Sequence, residues 1–259
     1  MSKGRLVIVG TGMITPKHIT QEAINHIKNA DCVFYITPDA LSTGYLKSLN
    51  KNLISLTDCY QQTTHRRDAY QLMVDRVMQE IEKELRVVAI FYGHPGVFVT
   101  PSHDLMKLSQ ERKIDCQMLP GISAEDCLFS DLGIDPGSVG CQSYEATFFL
   151  LNKLAINTSS PLIIWQLGVV GDLSFSTQIK PASDGMAMLQ NKLELFYPSD
   201  HCVTLYEAAT LPGFRHRAES VPLSQLSELS INDISTLYIP ATTSPEPDND
   251  FVNQWRQLQ

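Results

Sequence analysis

A chain of 259 residues, 43% apolar and 19% charged, has material for a sizeable core and for one large or two small domains. Its formal net charge of −8 and isoelectric point near 5.3 argue against a general nucleic-acid binder, which needs basic surface to displace counterions. No apolar run approaches the ~20 residues of a membrane span. Leu6–Val9 is too short for the apolar core of a secretory signal. The six cysteines (32, 59, 116, 127, 141 and 202) include no Cys-x-x-Cys, so neither a zinc site nor a disulfide framework is suggested. A reducing cytoplasm fits best, with no metal, membrane or nucleic-acid partner.

In chain order, Arg5–Val9 reads as a short apolar strand ending in Gly10-Thr11-Gly12. A helix begins near Thr20 and places Ala23, Ile24, Ile27 and Ala30 on one face. Cys32–Ile36 and Leu53–Leu56 read as the next strands, and a helix follows from about Thr64 to Leu85. Val87–Phe91 is a buried-strand run that ends in the turn Tyr92-Gly93-His94-Pro95-Gly96, where the glycines supply conformations other residues resist. A helix covers Asp104–Lys113 and a fifth strand Asp115–Leu119. Strands alternating with helices imply a largely parallel sheet with crossover connections. Ligands in such folds sit at the carboxyl ends of the strands. Aromatic residues Tyr92 and Phe98 beside bare backbone mark this turn as a ligand cradle.

Pro120-Gly121-Ile122 is a turn, and Ser123 is a good N-cap for a helix over Ala124–Leu132, with Asp126 in capping-box position. Further strands are expected at Leu162–Trp165, Cys202–Tyr206 and Ser235–Ile239. Helical stretches are expected at about Met186–Leu195 and Leu223–Leu229. A junction near residues 116–121 divides the chain into an N-terminal α/β domain, 1–117, and a C-terminal α/β domain, 118–243. Clefts between domains are favoured ligand sites. Residues 244–259 form an acidic, proline-containing linker and a short amphipathic tail carrying Phe251, Trp255 and Leu258.

Two motifs bear on chemistry. Gly10-Thr-Gly-Met-Ile-Thr15 follows the first strand as a dinucleotide fingerprint would. It has Thr15 in place of the third glycine, and no acidic residue ends the second strand, so it is weak evidence for a nicotinamide cofactor. Arg66 and Tyr70 are four residues apart and share a helix face that continues through Met73, Val77 and Ile81. An arginine one turn before an apolar stripe is costly unless it is paired or faces a cavity. Either Arg66 reaches outward at the helix start, or its guanidinium converges with the phenols of Tyr60 and Tyr70 on a substrate.

Phe91–His103, Met118–Phe129 and Ser235–Pro240 resemble the borosin peptide backbone α-N-methyltransferases. That group lies within the tetrapyrrole-methylase-like, class III S-adenosylmethionine enzymes, and the resemblance runs from about residue 5 to residue 241. Gly10-Thr-Gly12, the Gly-x-Pro-Gly turn and Pro120-Gly121 are features of the wider class, whose members also methylate porphyrinoids, diphthamide precursors or ribosomal RNA; a porphyrinoid or other small molecule is the alternative substrate. Tyr60, Arg66 and Tyr70 match the borosin catalytic pattern. The resemblance implies a two-domain α/β fold with S-adenosylmethionine in the interdomain cleft. It assigns Tyr92, His94, Val97 and Phe98 to one side of the cofactor and Ser123, Ala124, Gln166, Tyr206 and Thr236 to the other. Thr57 and Cys59 depart from the family by replacing tyrosines beside Tyr60. The fungal members continue into their own substrate peptide, whereas this sequence stops at Gln259. The expected substrate is therefore a separate precursor peptide with a leader region, bound by a homodimer in a two-plus-two complex.

The residue types suit that chemistry. An amide nitrogen is a poor nucleophile because its lone pair is delocalised into the carbonyl. Methylation needs the amide proton removed and the developing oxygen charge stabilised. A tyrosine lowered from its usual pKa of about 10 by a nearby guanidinium is the expected base, with Arg66 as the oxygen's partner.

Overall fold

The computed structural model describes residues 4–83, 85–178 and 183–259. Residue 84, inside the helix expected to reach Leu85, lies outside that set. The chain forms two compact units. One comprises the described residues of Met1–Gly133, Leu173–Ile179 and Ala208–His216, and the other those of Ile134–Asp172, Lys180–Glu207 and Arg217–Gln259.

The first unit is built on five parallel strands: β1 (Arg5–Gly10), β2 (Cys32–Tyr35), β3 (Leu53–Ser55), β4 (Arg86–Phe91) and β5 (Asp115–Met118). They lie in the order β3-β2-β4-β1-β5. The central strands read as unbroken apolar runs because both faces are covered, as parallel sheets require. Leu6, Ile8, Val87 and Ala89 pack with helix α4 (Arg66–Ile81) through Met73, Val77 and Ile81, and with Leu105 of α5 (Thr100–Glu111). Val7, Val9, Val88 and Ile90 point the opposite way, towards Ala23 and Ile27 of α1 (Gln21–Asn29) and Leu46 of α2 (Ala40–Leu49). Thr20 caps α1 by accepting from the Ala23 N–H at 3.1 Å. Ser123 and Asp126 form the full reciprocal capping box of α6 (Ala124–Leu132). The helix expected from Thr64 starts at Arg66, because a separate turn, α3 (Asp58–Gln62), precedes it and carries Tyr60.

The second unit has a mixed sheet in the order β6-β7-β10-β8-β9. β7 (Leu162–Trp165), β8 (Cys202–Glu207) and β10 (Thr236–Ile239) are the anticipated strands. β6 (Gln142–Glu145) and β9 (Arg217–Pro222) were not anticipated, and both are edge strands of polar composition. β6 pairs parallel with β7, and the remaining pairs are antiparallel. The stretch expected as a helix at Leu223–Leu229 is a 3₁₀ segment, Leu223–Glu228. α7 (Ala146–Leu151) is closed by Lys192 of α8 (Ser183–Leu193), whose ammonium donates to the carbonyls of Phe149, Leu150 and Asn152 at 2.6–2.8 Å. α9 (Asn249–Gln257) forms the amphipathic tail and has no buried residue. No described helix is long and apolar enough to cross a membrane.

The glycines of the first unit test this packing. A Cβ at Gly10 would fall on the Gly93 carbonyl, a main-chain atom that cannot step aside. Gly44, inside α2, has nothing within 4 Å of its Cβ position. Gly10→Ala is expected to destabilise by about 1–3 kcal/mol, and Gly44→Ala to stabilise by about 0.4–1 kcal/mol. Thermal unfolding of the two variants checks this, and equal shifts of the same sign would contradict it.

Candidate functional site

Three turns leave the carboxyl edge of the first sheet, after β1, β4 and β5, and they are locked backbone to backbone. Gly12 and Gly93 exchange main-chain hydrogen bonds of 3.1 and 3.0 Å. Both have left-handed φ angles of +68°, which glycine alone adopts without cost. A Cβ at Gly121 would sit 3.1 Å from the Gly93 carbonyl and 3.5 Å from the Cα atoms of Gly10 and the Cα of His94. The result is a surface of bare main chain at the end of the sheet.

Around that surface the β4 turn presents Tyr92, Val97 and Phe98, exposed by 46%, 42% and 52%. Phe98 adopts φ +57°, a conformation that is strained for a bulky residue and is held by the turn around it. His94 is half-buried, and its Nδ1 accepts from the Gly96 N–H at 2.9 Å. His103 binds the Gly96 carbonyl at 2.9 Å from the other side. Ser123 is buried and committed to Asp126, its hydroxyl donating to that carboxylate at 2.7 Å, and Ala124 is the first residue of α6. In the second unit Gln166, Tyr206 and Thr236 share one edge of the sheet. Thr236 pairs with Tyr206, and the Leu167 N–H donates to the Ser235 carbonyl. Tyr206 is fully enclosed, and Gln166 adopts φ +61° where β7 gives way to a 3₁₀ turn.

Tyr60, Arg66 and Tyr70 come together in the first unit. The rings of Tyr60 and Tyr70 meet edge to face, with centroids 6.2 Å apart and planes at 81°. Arg66 does not swing outward. Its Nε donates to the Ser176 carbonyl at 2.9 Å and its main-chain N–H to the Phe175 carbonyl at 2.8 Å. For Tyr60 the expectation of a depressed phenol is overturned. Burial raises the Tyr60 phenol well above its usual range, and the charges of Tyr70 and Tyr92 and a hydrogen bond with Tyr70 raise it further. Arg66 pulls it down, but by less than these oppose it. Cys59, beside Tyr60, is buried and its thiol is also raised by burial, while Thr57 is exposed.

The sequence reading missed the segment that receives Arg66. Leu173–Gln178 shows no periodicity, and nothing local ties it to a helix more than a hundred residues earlier. Among the described residues, no group of three or more His, Cys, Asp or Glu side chains is arranged to hold a metal ion.

Glycine turns on the carboxyl edge of a parallel sheet, followed by a mixed five-stranded unit, define a two-part α/β protein of the class III methyltransferase architecture. The chain belongs to the tetrapyrrole (corrin/porphyrin) methylases, whose family profile matches residues 5–222. It is 39% identical over 259 residues to the methyltransferase/ribosomally synthesized cyclic peptide gymnopeptides precursor of Gymnopus fusipes, covering 98% of this chain and 61% of that protein. It is 35% identical over 259 residues to the corresponding omphalotin A precursor of Omphalotus olearius, covering 98% and 62%. The chain thus spans about three fifths of the length of these curated relatives. Uroporphyrin-III C-methyltransferase from Thermus thermophilus superposes with a TM-score of 0.67 at 14% identity, over 92% of this chain and 94% of that one. The same enzyme complexed with S-adenosylhomocysteine gives 0.62 at 15% identity, over 92% and 97%. At such identities the likeness is one of fold.

The raised Tyr60 pKa has a measurable consequence. Its neutral form is favoured by folding, so this contribution to stability is full below the unfolded tyrosine pKa of about 10 and is lost as pH rises beyond it. Absorbance titration of tyrosinate in the native protein should show a late-ionising phenol that disappears in Tyr60→Phe and moves still higher in Arg66→Met. Ionisation of Tyr60 with the exposed tyrosines would contradict the burial argument.

Proposed function

We propose that this protein is an S-adenosylmethionine-dependent methyltransferase that acts on backbone amide nitrogens of a ribosomally made peptide, a reading supported by relatives that are methyltransferases and precursors of ribosomally synthesized cyclic peptides. The observation that carries the reading is that two features lie close together in the first unit. The Tyr60 ring meets that of Tyr70, and Tyr92 of the glycine turn is near enough to this pair to raise the Tyr60 phenol electrostatically. A cradle of main chain and a cluster of phenols with a guanidinium therefore adjoin within one unit.

The cradle fits the cofactor by its chemistry. Bare glycine backbone admits close approach, and exposed Tyr92, Val97 and Phe98 offer apolar and aromatic surface for the cofactor's non-polar parts. His94, Ser123 and Ala124 complete the proposed binding set of the first unit, and Gln166, Tyr206 and Thr236 are the binding residues proposed in the second. When bound, S-adenosylmethionine supplies an electrophilic methyl group. The peptide amide must be presented with its proton directed to the tyrosine pair and its oxygen to Arg66. The Arg66 guanidinium stabilises the oxygen charge that grows as the proton leaves. Tyr60 rests protonated, so one phenol of the Tyr60–Tyr70 pair must first release its own proton to solvent before it can take the amide proton, a release favoured by positive charge in the loaded site as well as by Arg66. Positioning of the nitrogen supplies much of the remaining acceleration.

A porphyrinoid or other small-molecule substrate, as in the structurally similar uroporphyrin-III methyltransferase, is the alternative. The tyrosine–arginine cluster favours the amide, because an amide needs both a base and an oxygen partner. Delivery of the peptide as a separate chain, and a homodimer binding two such peptides through their leaders, form the finer part of the proposal. The exposed Phe251 and Trp255 of α9, with Leu258 just after it, supply apolar surface of the kind dimers cover.

Incubation with a candidate precursor peptide and S-adenosylmethionine, followed by fragment mass spectrometry, should locate methyl groups on backbone nitrogens. Arg66→Ala and Tyr70→Phe should lose at least tenfold in transfer while keeping cofactor binding and melting temperature, a loss that matches removal of one positioned catalytic group. Light scattering of the same mixture should report a dimer with two peptides. No transfer to peptide, with transfer to a porphyrinoid, would establish the alternative.

Gly96 gives a separate test of the cofactor cradle. A Cβ there would lie 3.1 Å from the Met118 sulfur and 3.2 Å from the His94 ring. Gly96→Val should therefore displace the His94 turn and weaken S-adenosylmethionine binding by calorimetry. Unchanged affinity would remove this stretch from the site.

A further inference from the structure

The segment at Leu173–Gln178 makes more contacts with the start of α4 than a helix cap requires. The first turn of a helix leaves main-chain N–H groups without partners, and the bond from the Arg66 N–H to the Phe175 carbonyl answers that need. Further contacts do not. The Arg66 Nε–H donates to the Ser176 carbonyl across 110 residues of sequence. The Thr177 N–H donates to the Thr64 carbonyl at 3.1 Å, and the Thr177 hydroxyl donates to the Thr63 carbonyl at 3.0 Å. His65 and Ser176 form an isolated antiparallel bridge, and the rings of His65 and Phe175 lie 5.9 Å apart.

The backbone of the segment is shaped for this role. Phe175 has φ +50°, unfavourable for an aromatic residue, and so marks strain that the surroundings hold in place. The twist allows two successive carbonyls, those of Phe175 and Ser176, to be taken by the two ends of one residue, the main chain and the side chain of Arg66. A guanidinium is planar, so fixing the direction of its Nε–H fixes its plane and the directions of its Nη groups. Because the acceptor is a main-chain carbonyl, its position is set by whatever holds the strap. That is Thr177, the residue next to Ser176, which is fastened twice to Thr63 and Thr64.

We propose that Leu173–Gln178 is a positioning strap and that Thr177 is the positioning residue that orients the Arg66 guanidinium toward the substrate amide oxygen. The inference deepens the function proposed above and rests on its reading of Arg66. Thr177 itself touches no reacting atom.

Two measurements separate the strap from that reading. The first is an NMR measurement of the Arg66 Nε–H, identified by its loss in Arg66→Lys. In the intact protein this proton should exchange slowly with solvent, and in Thr177→Val, which keeps the side-chain shape and removes the hydroxyl, exchange should accelerate at least threefold. The second is kinetic. Thr177→Val should lower kcat for peptide methylation by about threefold to tenfold, the loss of one hydrogen bond, with cofactor affinity and melting temperature unchanged. In an Arg66→Ala background the same change should cost nothing further, since its effect passes through Arg66. Thr177→Pro, which also removes the N–H, should be more severe in both measurements if it folds, and Thr177→Val decides the matter if it does not. Unchanged Nε–H exchange in Thr177→Val, or full additivity with Arg66→Ala, would overturn the strap. A wild-type protein that methylates no peptide would overturn the proposed function, and the exchange measurement would still decide the strap.

Discussion

The Gly93 carbonyl is the point on which the first unit turns. It accepts from Gly12, and it lies where a side chain at Gly10 or Gly121 would have to go. Three loops from three strands are thereby held at main-chain separation, and none can shift without the others. The strands behind them are pinned by register, with Gly10 opposite Phe91 and Ile8 opposite both Ala89 and Met118. Both faces of β1 and β4 are buried, so a slip of one residue would exchange one complete set of packed side chains for the other. The exposed Tyr92, Val97 and Phe98 ride on this lock.

A second balance governs the tyrosine cluster. One guanidinium acts against burial and two neighbouring phenols, and it loses. Burial penalises a phenolate regardless of direction, whereas the benefit from Arg66 depends on where its charge is held. A main-chain acceptor at Ser176 fixes that charge without adding a carboxylate at the same spot. On the proposed reading, the resting site keeps its base protonated and its oxygen partner aimed. Such an arrangement limits reactivity before cofactor and substrate have both arrived.

The two sheets differ in how they allow function to vary. Solved structures at 14–15% identity share the architecture, so the fold cannot by itself specify a substrate. The candidate chemistry of the first unit lies on α3 and α4, between β3 and β4, and on a strap that returns from a distant part of the chain. Those parts can change residue types without disturbing the glycine lock, because the lock uses only main chain.

Much of this protein was legible in its sequence because the signals are local. Apolar runs such as Leu6–Val9 and Val87–Phe91 announce strands buried on both faces. Thr20, and Ser123 with Asp126, announce helix starts through hydrogen bonds that span three residues. The glycine turns announce themselves because no other residue tolerates their geometry. The edge strands β6 and β9 were hidden, since half-exposed edges need no apolar alternation and their partners lie far along the chain. Lys192 closes α7 from 40 residues away, a contact that no local pattern announces. The state of Tyr60 and the aim of Arg66 were equally out of reach. Proximity of Tyr60 to Arg66 in sequence suggested a lowered pKa, but burial and the phenols of Tyr70 and Tyr92 set the opposite sign. Local rules fix which conformations the backbone accepts within a few residues, whereas desolvation and long-range hydrogen bonds exist only once distant segments have packed.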